Sequence, residues 1–200
     1  MNNSYCFIDH VITSGLDSAI IASGYPMQTQ LNPDNDLLSY DSVTAADMKR
    51  AVHLGNAKPC SGHDCYLKGI NVLFDLTFTR QAWLELMRYH FIDIVSSEST
   101  MHCLPKMKAT FIQYTDERVK KAFLEILKEY TEDPTEENWQ KLIYSYPVGL
   151  LLTARVTTNY LQLKSIYAQR RHHRLPEWQK FCDWIEHLPD TKELGVLSND

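Results

Sequence analysis

Ile70-Asn71-Val72-Leu73-Phe74-Asp75-Leu76-Thr77-Phe78 decides the fold class of this chain. Ile70, Val72, Phe74, Leu76 and Phe78 recur with period two, so an extended strand puts all five on one face. Outward from this run the periodicity turns helical. Arg80 to Tyr89 places Trp83, Leu84, Met87 and Phe91 near one helix face, and Ser96-Ser97-Glu98-Ser99-Thr100 then interrupts as a loop or a helix N-terminus. Val119, Ala122, Phe123, Ile126, Leu127 and Tyr130 form the apolar stripe of a helix over 115–130. Asp133-Pro134-Thr135-Glu136-Glu137 caps a further helix, Thr135 to Tyr144.

The stretch from Tyr146-Pro147 through Leu150-Leu151-Leu152-Thr153 to Asn159 reads as one helix that carries a single amide in an apolar segment. A second helical run bears Arg170, Arg171 and Arg174, and Pro176 starts a final helix reaching about His187. Residues after Pro189 are expected to form a mobile tail. Upstream, residues 1–60 are the least regular. Phe7-Ile8 and Val11-Ile12 suit a short strand or helix, Asp17 to Ala22 another, and Gly24-Tyr25-Pro26 and Asn32-Pro33-Asp34 are turn chemistry. Thr44 with Asp47 forms a capping box opening a helix from Ala45 to Leu54. The resulting expectation is an α+β fold, mostly helical with a small antiparallel sheet, forming a single domain over residues 1–200.

A chain of 200 residues that is 44% hydrophobic can bury an ordinary core. Its net charge of −5 argues against tracking an extended nucleic-acid backbone, so any phosphate recognition must be local. Five cysteines, an odd number in a chain too large to need disulfide staples, fit a reduced cytoplasmic compartment. No basic, apolar leader opens the sequence, and the longest apolar stretch, Val148 to Leu163, contains Arg155 and Asn159, so no membrane span is expected. Nucleotide loops of the G-x-x-x-x-G-K-[ST] and G-x-G-x-x-G kinds, the G-x-S-x-G elbow and the H-E-x-x-H helix are all missing. With only seven glycines, side chains and helix ends must hold any bound dinucleotide.

Three constellations carry candidate chemistry. Cys60, His63 and Cys65, with His53, His102 or Cys103 as a fourth donor, offer zinc ligands without the usual knuckle spacing; the same residues suit a plain turn, or a loop that lays His63 against a cofactor. Arg88-Tyr89-His90 ahead of Ser97, Glu98 and Ser99 suits either an anion grip or a surface arginine with a serine cap. Gln169-Arg170-Arg171-His172-His173-Arg174 is either a solvated basic face or a DNA or RNA contact patch, with aromatic interleaving limited to Tyr160 and Tyr167. Asn159 and Arg170, eleven residues apart, share a face if one helix carries both.

In their order, these elements resemble the flavin-dependent thymidylate synthases over about residues 60 to 180. Gly62-His63 leads into the strand, Arg88 stands at the first arginine of the family's R-H-R-x7-S motif, and Pro147, Asn159 and Arg170 keep the later spacings, with Glu177-Trp178 near its closing segment. The chain departs from the family at four places. Tyr89-His90 replaces the His-Arg of the motif, and Ser96-Ser97-Glu98-Ser99-Thr100-Met101-His102 replaces the downstream N-E-x-S-x-R-Y with a one-residue insertion. Ile143 stands where a nucleotide-binding arginine is expected, and Lys68 replaces an acidic flavin-loop residue.

The resemblance implies methylation or hydroxymethylation of a pyrimidine deoxynucleotide such as dUMP by a cytoplasmic homotetramer. FAD is then the cofactor, placed at subunit interfaces, with NADPH and methylenetetrahydrofolate as co-substrates. It assigns Arg88, Ser97, Glu98, Ser99 and Arg170 to the substrate, and His63, Arg88, His90, Phe91, Asn159 and Arg174 to the cofactor. No residue is assigned to direct catalysis or to a metal. The alternative is a non-catalytic nucleotide- or partner-binding protein on the same scaffold.

Overall fold

The period-two run becomes the central strand of the sheet. The computed structural model describes residues 6–28, 42–58, 61–112 and 114–197; Cys60 and the turn expected at Asn32-Pro33-Asp34 lie outside them. Four antiparallel strands, β1 (Cys6–Ser14), β2 (Asn71–Thr79), β3 (Asp93–Ser97) and β4 (Leu151–Asn159), stand in the order β1-β2-β4-β3. Eight helices accompany them among the described residues: α1 (Leu16–Ala22), α2 (Ala45–Gly55), α3 (Arg80–Leu86), α4 (Thr100–Cys103), α5 (Glu117–Glu132), α6 (Glu136–Ser145), α7 (Tyr160–Arg170) and α8 (Pro176–Ile185). The α+β expectation, mostly helical with one small antiparallel sheet, holds.

Val72, Phe74, Leu76 and Phe78 are fully buried on one face of β2. Against that face lie Leu163 and Ile166 of α7 and Trp178, Phe181 and Ile185 of α8, all without solvent exposure. The ring centroids of Phe74 and Trp184 are 4.6 Å apart, and those of Phe78 and Trp178 are 5.5 Å apart, edge to face. The other face of the two central strands is polar at its middle. Asp75 pairs in register with Arg155 through a 2.9 Å ion pair, and the Thr77 and Thr153 hydroxyls lie 2.8 Å apart. A hydrogen bond from Arg155, then its charge, holds the Asp75 carboxyl below the usual range. A smaller core of Leu104, Ile112, Phe123, Leu142 and Leu150 joins the α5–α6 hairpin to this body.

Several local expectations are met. The Thr44–Asp47 capping box opens α2, the α5 and α6 stripes are helical, and Pro176 begins α8. The stretch 147–163 is not one helix. Residues 151–159 form β4, in which Ala154, Val156 and Thr158 turn inward on alternate positions, and only from Tyr160 does α7 begin. Thr153, Val156, Thr157 and Thr158 are β-branched and stiff at χ1, and the slot between β2 and β3 rewards extended pairing on both edges. The interruption expected at Ser96–Thr100 divides: Ser96 and Ser97 end β3, a short, exposed edge strand, and Ser99 and Thr100 form the N-terminus of α4.

The described part of the segment expected as a mobile tail, residues 190–197, is packed instead. Thr191, Leu194 and Val196 are buried, the Tyr160 hydroxyl donates to Pro189 O at 2.7 Å, and Lys164 Nζ donates to Gly55 O at 2.7 Å. Gly55 must be glycine here, because a Cβ would collide with the Leu194 carbonyl.

Candidate functional site

Thr79, the last residue of β2, caps α3 by accepting the Ala82 N–H, and Trp83 Nε1 donates to Leu152 O at 2.9 Å. Helix α3 is thus pinned across the sheet end, and the chain leaves it through an outward turn, 87–92, before entering β3. Three clefts flank this turn.

The first, about 160 Å3, lies between α3 and the end of β3 and is lined by Arg80, Ser97, Glu98, Thr100 and Tyr146. Glu98 is anchored twice: its N–H donates to Thr153 O at 3.0 Å, and its Oε2 accepts the Thr153 N–H at 2.8 Å. Its other oxygen has no hydrogen bond among the described residues. The second cleft, about 300 Å3, shares Trp83, Met87 and Ile94 with the first and ends at Tyr89, His90 and Asp93. Together they make a groove along α3, walled by apolar side chains and polar at both ends.

The third cleft, about 270 Å3, opens on the other side of the turn and is lined by Lys68, Phe91, Asn159, Leu161, Gln162 and Ser165. The Phe91 ring is 64% exposed and offers a flat apolar wall. Asn159 Oδ1 accepts the Gln162 N–H at 3.0 Å and so caps α7; among the described residues its Nδ2 stays unengaged, as does the Gln162 carboxamide. Apolar walls, two amides and a lysine fit an aromatic heterocycle bearing an anionic tail.

The expected site residues divide among these places. Ser97 and Glu98 reach the first cleft, His90 the second, and Phe91 and Asn159 the third. Ser99 stands at the N-cap of α4, where its side chain makes no capping bond. His63 is exposed at the start of the 3-10 turn His63–Gly69, which also carries Lys68; Arg88 and Arg174 are exposed and unpaired among the described residues. Among the described residues no three His, Cys, Asp or Glu side chains gather as metal donors.

Arg170 and Asn159 do not form a pair. They sit at opposite ends of α7, about 16 Å apart along its axis. Arg170 turns inward: Nη1 meets Glu85 Oε2 at 2.9 Å, Nε donates to the Tyr89 hydroxyl at 2.9 Å, and the guanidinium stacks 4.7 Å from the Trp178 ring. Arg155, pinned by Asp75, also donates to His10 O at 3.2 Å. Sequence reasoning missed Arg80, Glu85 and Gln162. For Gln162 a signal existed, since it stands three residues after a capping Asn; for Glu85 and Arg80 only their long-range neighbours reveal a role.

No family model and no curated protein matches the chain. Solved structures do. The chain has the fold of the flavin-dependent thymidylate synthases. In particular, it is similar to the ThyX enzyme of Helicobacter pylori complexed with FAD and dUMP, at 17% identity over 96% of this chain and 97% of that one, TM-score 0.67. It is equally similar to the UMP/dUMP methylase PolB of Streptomyces cacaoi bound with 5-Br dUMP, at 14% identity over 98% of both chains, TM-score 0.69. Such likeness over nearly the whole length of both partners establishes the fold; the low identity leaves the chemistry to the site. No helix among the described residues is long and apolar enough to cross a membrane.

Proposed function

We propose that this protein is a divergent flavin-dependent enzyme of the thymidylate synthase type, methylating or hydroxymethylating a pyrimidine deoxynucleotide such as dUMP. The observation that carries this reading is the fold match along the full chain to proteins crystallised with FAD and dUMP, combined with three clefts around the one turn that bears the resembling motif. FAD is the cofactor, NADPH and methylenetetrahydrofolate are the co-substrates, and the working unit is a cytoplasmic homotetramer.

Bound flavin supplies the redox chemistry. Phe91 and Leu161 would shield the cofactor from water, Asn159 Nδ2 and the Gln162 carboxamide would offer it hydrogen bonds, and Lys68 would supply a cation for its phosphates. The third cleft is too small for a whole dinucleotide, which agrees with a site completed by a neighbouring subunit. His63, Arg88, His90 and Arg174 then face that boundary. Ser97, Glu98 and Ser99 hold the nucleotide.

Purified protein tests the reading directly. It should show flavin absorbance or acquire it on addition of FAD, and should release tritium from 5-tritiated dUMP when given NADPH and methylenetetrahydrofolate. Colourless protein that takes up no FAD refutes it. A second reading, non-catalytic nucleotide binding, is favoured by two features: Arg170 is saturated by Glu85 and Tyr89, and Ile143 offers no charge. It predicts thermal stabilisation by dUMP without tritium release.

A further inference from the structure

The proposed reading requires a cation for the nucleotide phosphate, and the chain's arginines are mostly committed elsewhere. Arg155 is bound to Asp75, Arg170 to Glu85, Arg171 to Asp183, Arg50 to Asp47 and Arg118 to Asp116. The position where the resemblance places a nucleotide-binding arginine holds Ile143, packed against the second core.

Arg80 is different. It is half-buried, its guanidinium has neither a hydrogen bond nor an ion pair among the described residues, and it lines the first cleft with Ser97, Glu98, Thr100 and Tyr146. Its backbone is fixed, the N–H donating to Leu150 O at 2.8 Å where β2 passes into α3. A cation in the first turn of a helix opposes the helix dipole and has no local justification. Local rules are broken at functional positions more often than elsewhere.

We propose that Arg80 is the phosphate-binding cation of this protein, taking the place of the arginine absent at Ile143. A guanidinium presents paired N–H donors that match two oxygens of a phosphomonoester. The Ser97 and Thr100 hydroxyls, neither engaged in a side-chain hydrogen bond among the described residues, complete the grip. Glu98, tied to Thr153 by one oxygen, repels the phosphate from its own end and accepts a sugar hydroxyl with the other. The cleft of about 160 Å3 admits the phosphate and part of the sugar, and the base extends along the groove past Trp83 and Met87 towards His90. This assignment rests on the nucleotide reading only for the identity of the base.

Calorimetric titration of dUMP, deoxyuridine and 2-deoxyribose 5-phosphate into the whole protein, its Arg80→Ala and Arg80→Lys variants tests it. Loss of a charged hydrogen-bonded pair should weaken dUMP and the sugar phosphate about ten- to a hundred-fold in Arg80→Ala and less in Arg80→Lys, with deoxyuridine unaffected. The Lys variant guards against misfolding, as do circular dichroism spectra of both. Unchanged dUMP affinity in Arg80→Ala, or equal losses for dUMP and deoxyuridine, overturns the assignment and leaves the nucleotide reading standing. Arg80-dependent binding of the sugar phosphate without binding of dUMP sinks the pyrimidine reading and keeps the phosphate site. Wild-type protein that binds none of the three ends both.

Discussion

Glu85 Oε2 accepts from Arg170 Nη1 at 2.9 Å and from Trp178 Nε1 at 2.8 Å, and so ties α3 to α7 and α8 through one oxygen. His173 Nε2 lies 3.5 Å from the same atom, and Tyr89, in the middle of the turn, completes the node through its bond from Arg170. Arg88 and His90 point outward on either side of Tyr89. The turn that presents them is therefore held from behind by an ion pair of low exposure.

Removing one partner of such a pair strands the other. Arg170→Ala should lower stability by about 2–3 kcal/mol, because Glu85 then keeps the indole N–H and the longer His173 contact but no guanidinium. Glu85→Gln, which retains hydrogen-bonding capacity, should cost about 1 kcal/mol. Urea denaturation of both variants measures this. A neutral Arg170→Ala would show that the guanidinium is not structural and would return it to the list of ligand-binding groups.

Asn159 has two jobs that can be separated. Asn159→Ala removes the cap of α7 and should cost about 1 kcal/mol, whereas Asn159→Asp keeps an acceptor for the Gln162 N–H and should stay close to wild type. Both lose the Nδ2 donor in the third cleft, so FAD uptake should weaken in both. Equal FAD binding by wild type and Asn159→Asp would remove Asn159 from the cofactor site.

The cysteines should divide by burial. Burial raises the Cys6 thiol far above its ordinary value and pushes Cys182 up to about 12, leaving neither with appreciable thiolate at pH 8. Cys65 is exposed and Cys103 half-buried. Of the four described cysteines, iodoacetamide at pH 8, read by peptide mass spectrometry, should label Cys65 first and Cys103 next, with Cys6 and Cys182 modified only after denaturation.

Acid should undo one cap in a defined window. The Thr44 hydroxyl, then Arg50, holds the Asp47 carboxyl at about 2 in the folded protein, below its unfolded value of about 3.9. A depressed carboxylate stabilises fully above the unfolded value and loses that contribution as pH falls through the folded one. Asp47→Asn should therefore cost about 1 kcal/mol at pH 7, progressively less from about pH 4 downward, and nothing only once the pH is well below 2. Urea midpoints for the two proteins across that range should converge at the acid end; parallel curves would contradict the carboxylate's role.

What sequence alone determined here was local. The β2 alternation, the α5 stripe, the Thr44–Asp47 box and Pro176 at the start of α8 each depend on residues within a few positions, and each appears where expected. The ordering Gly62-His63, Arg88, Pro147, Asn159, Arg170 was enough to suggest the fold, because spacing survives when side chains change. Tertiary structure decided the rest. Residues 151–159 satisfy helix and strand about equally as an isolated apolar run, and the unpaired edges of β2 and β3 settled the choice. Arg80 and Arg170 are the same residue type in helices of the same body, yet among the described residues the first has no side-chain partner and the other is saturated, since Glu85 and Tyr89 from around α3 and Trp178 from α8 converge on Arg170. Periodicity and capping act through near neighbours and can be read along a line; the partner of a charge is fixed by which distant segments folding brings within about 4 Å of it.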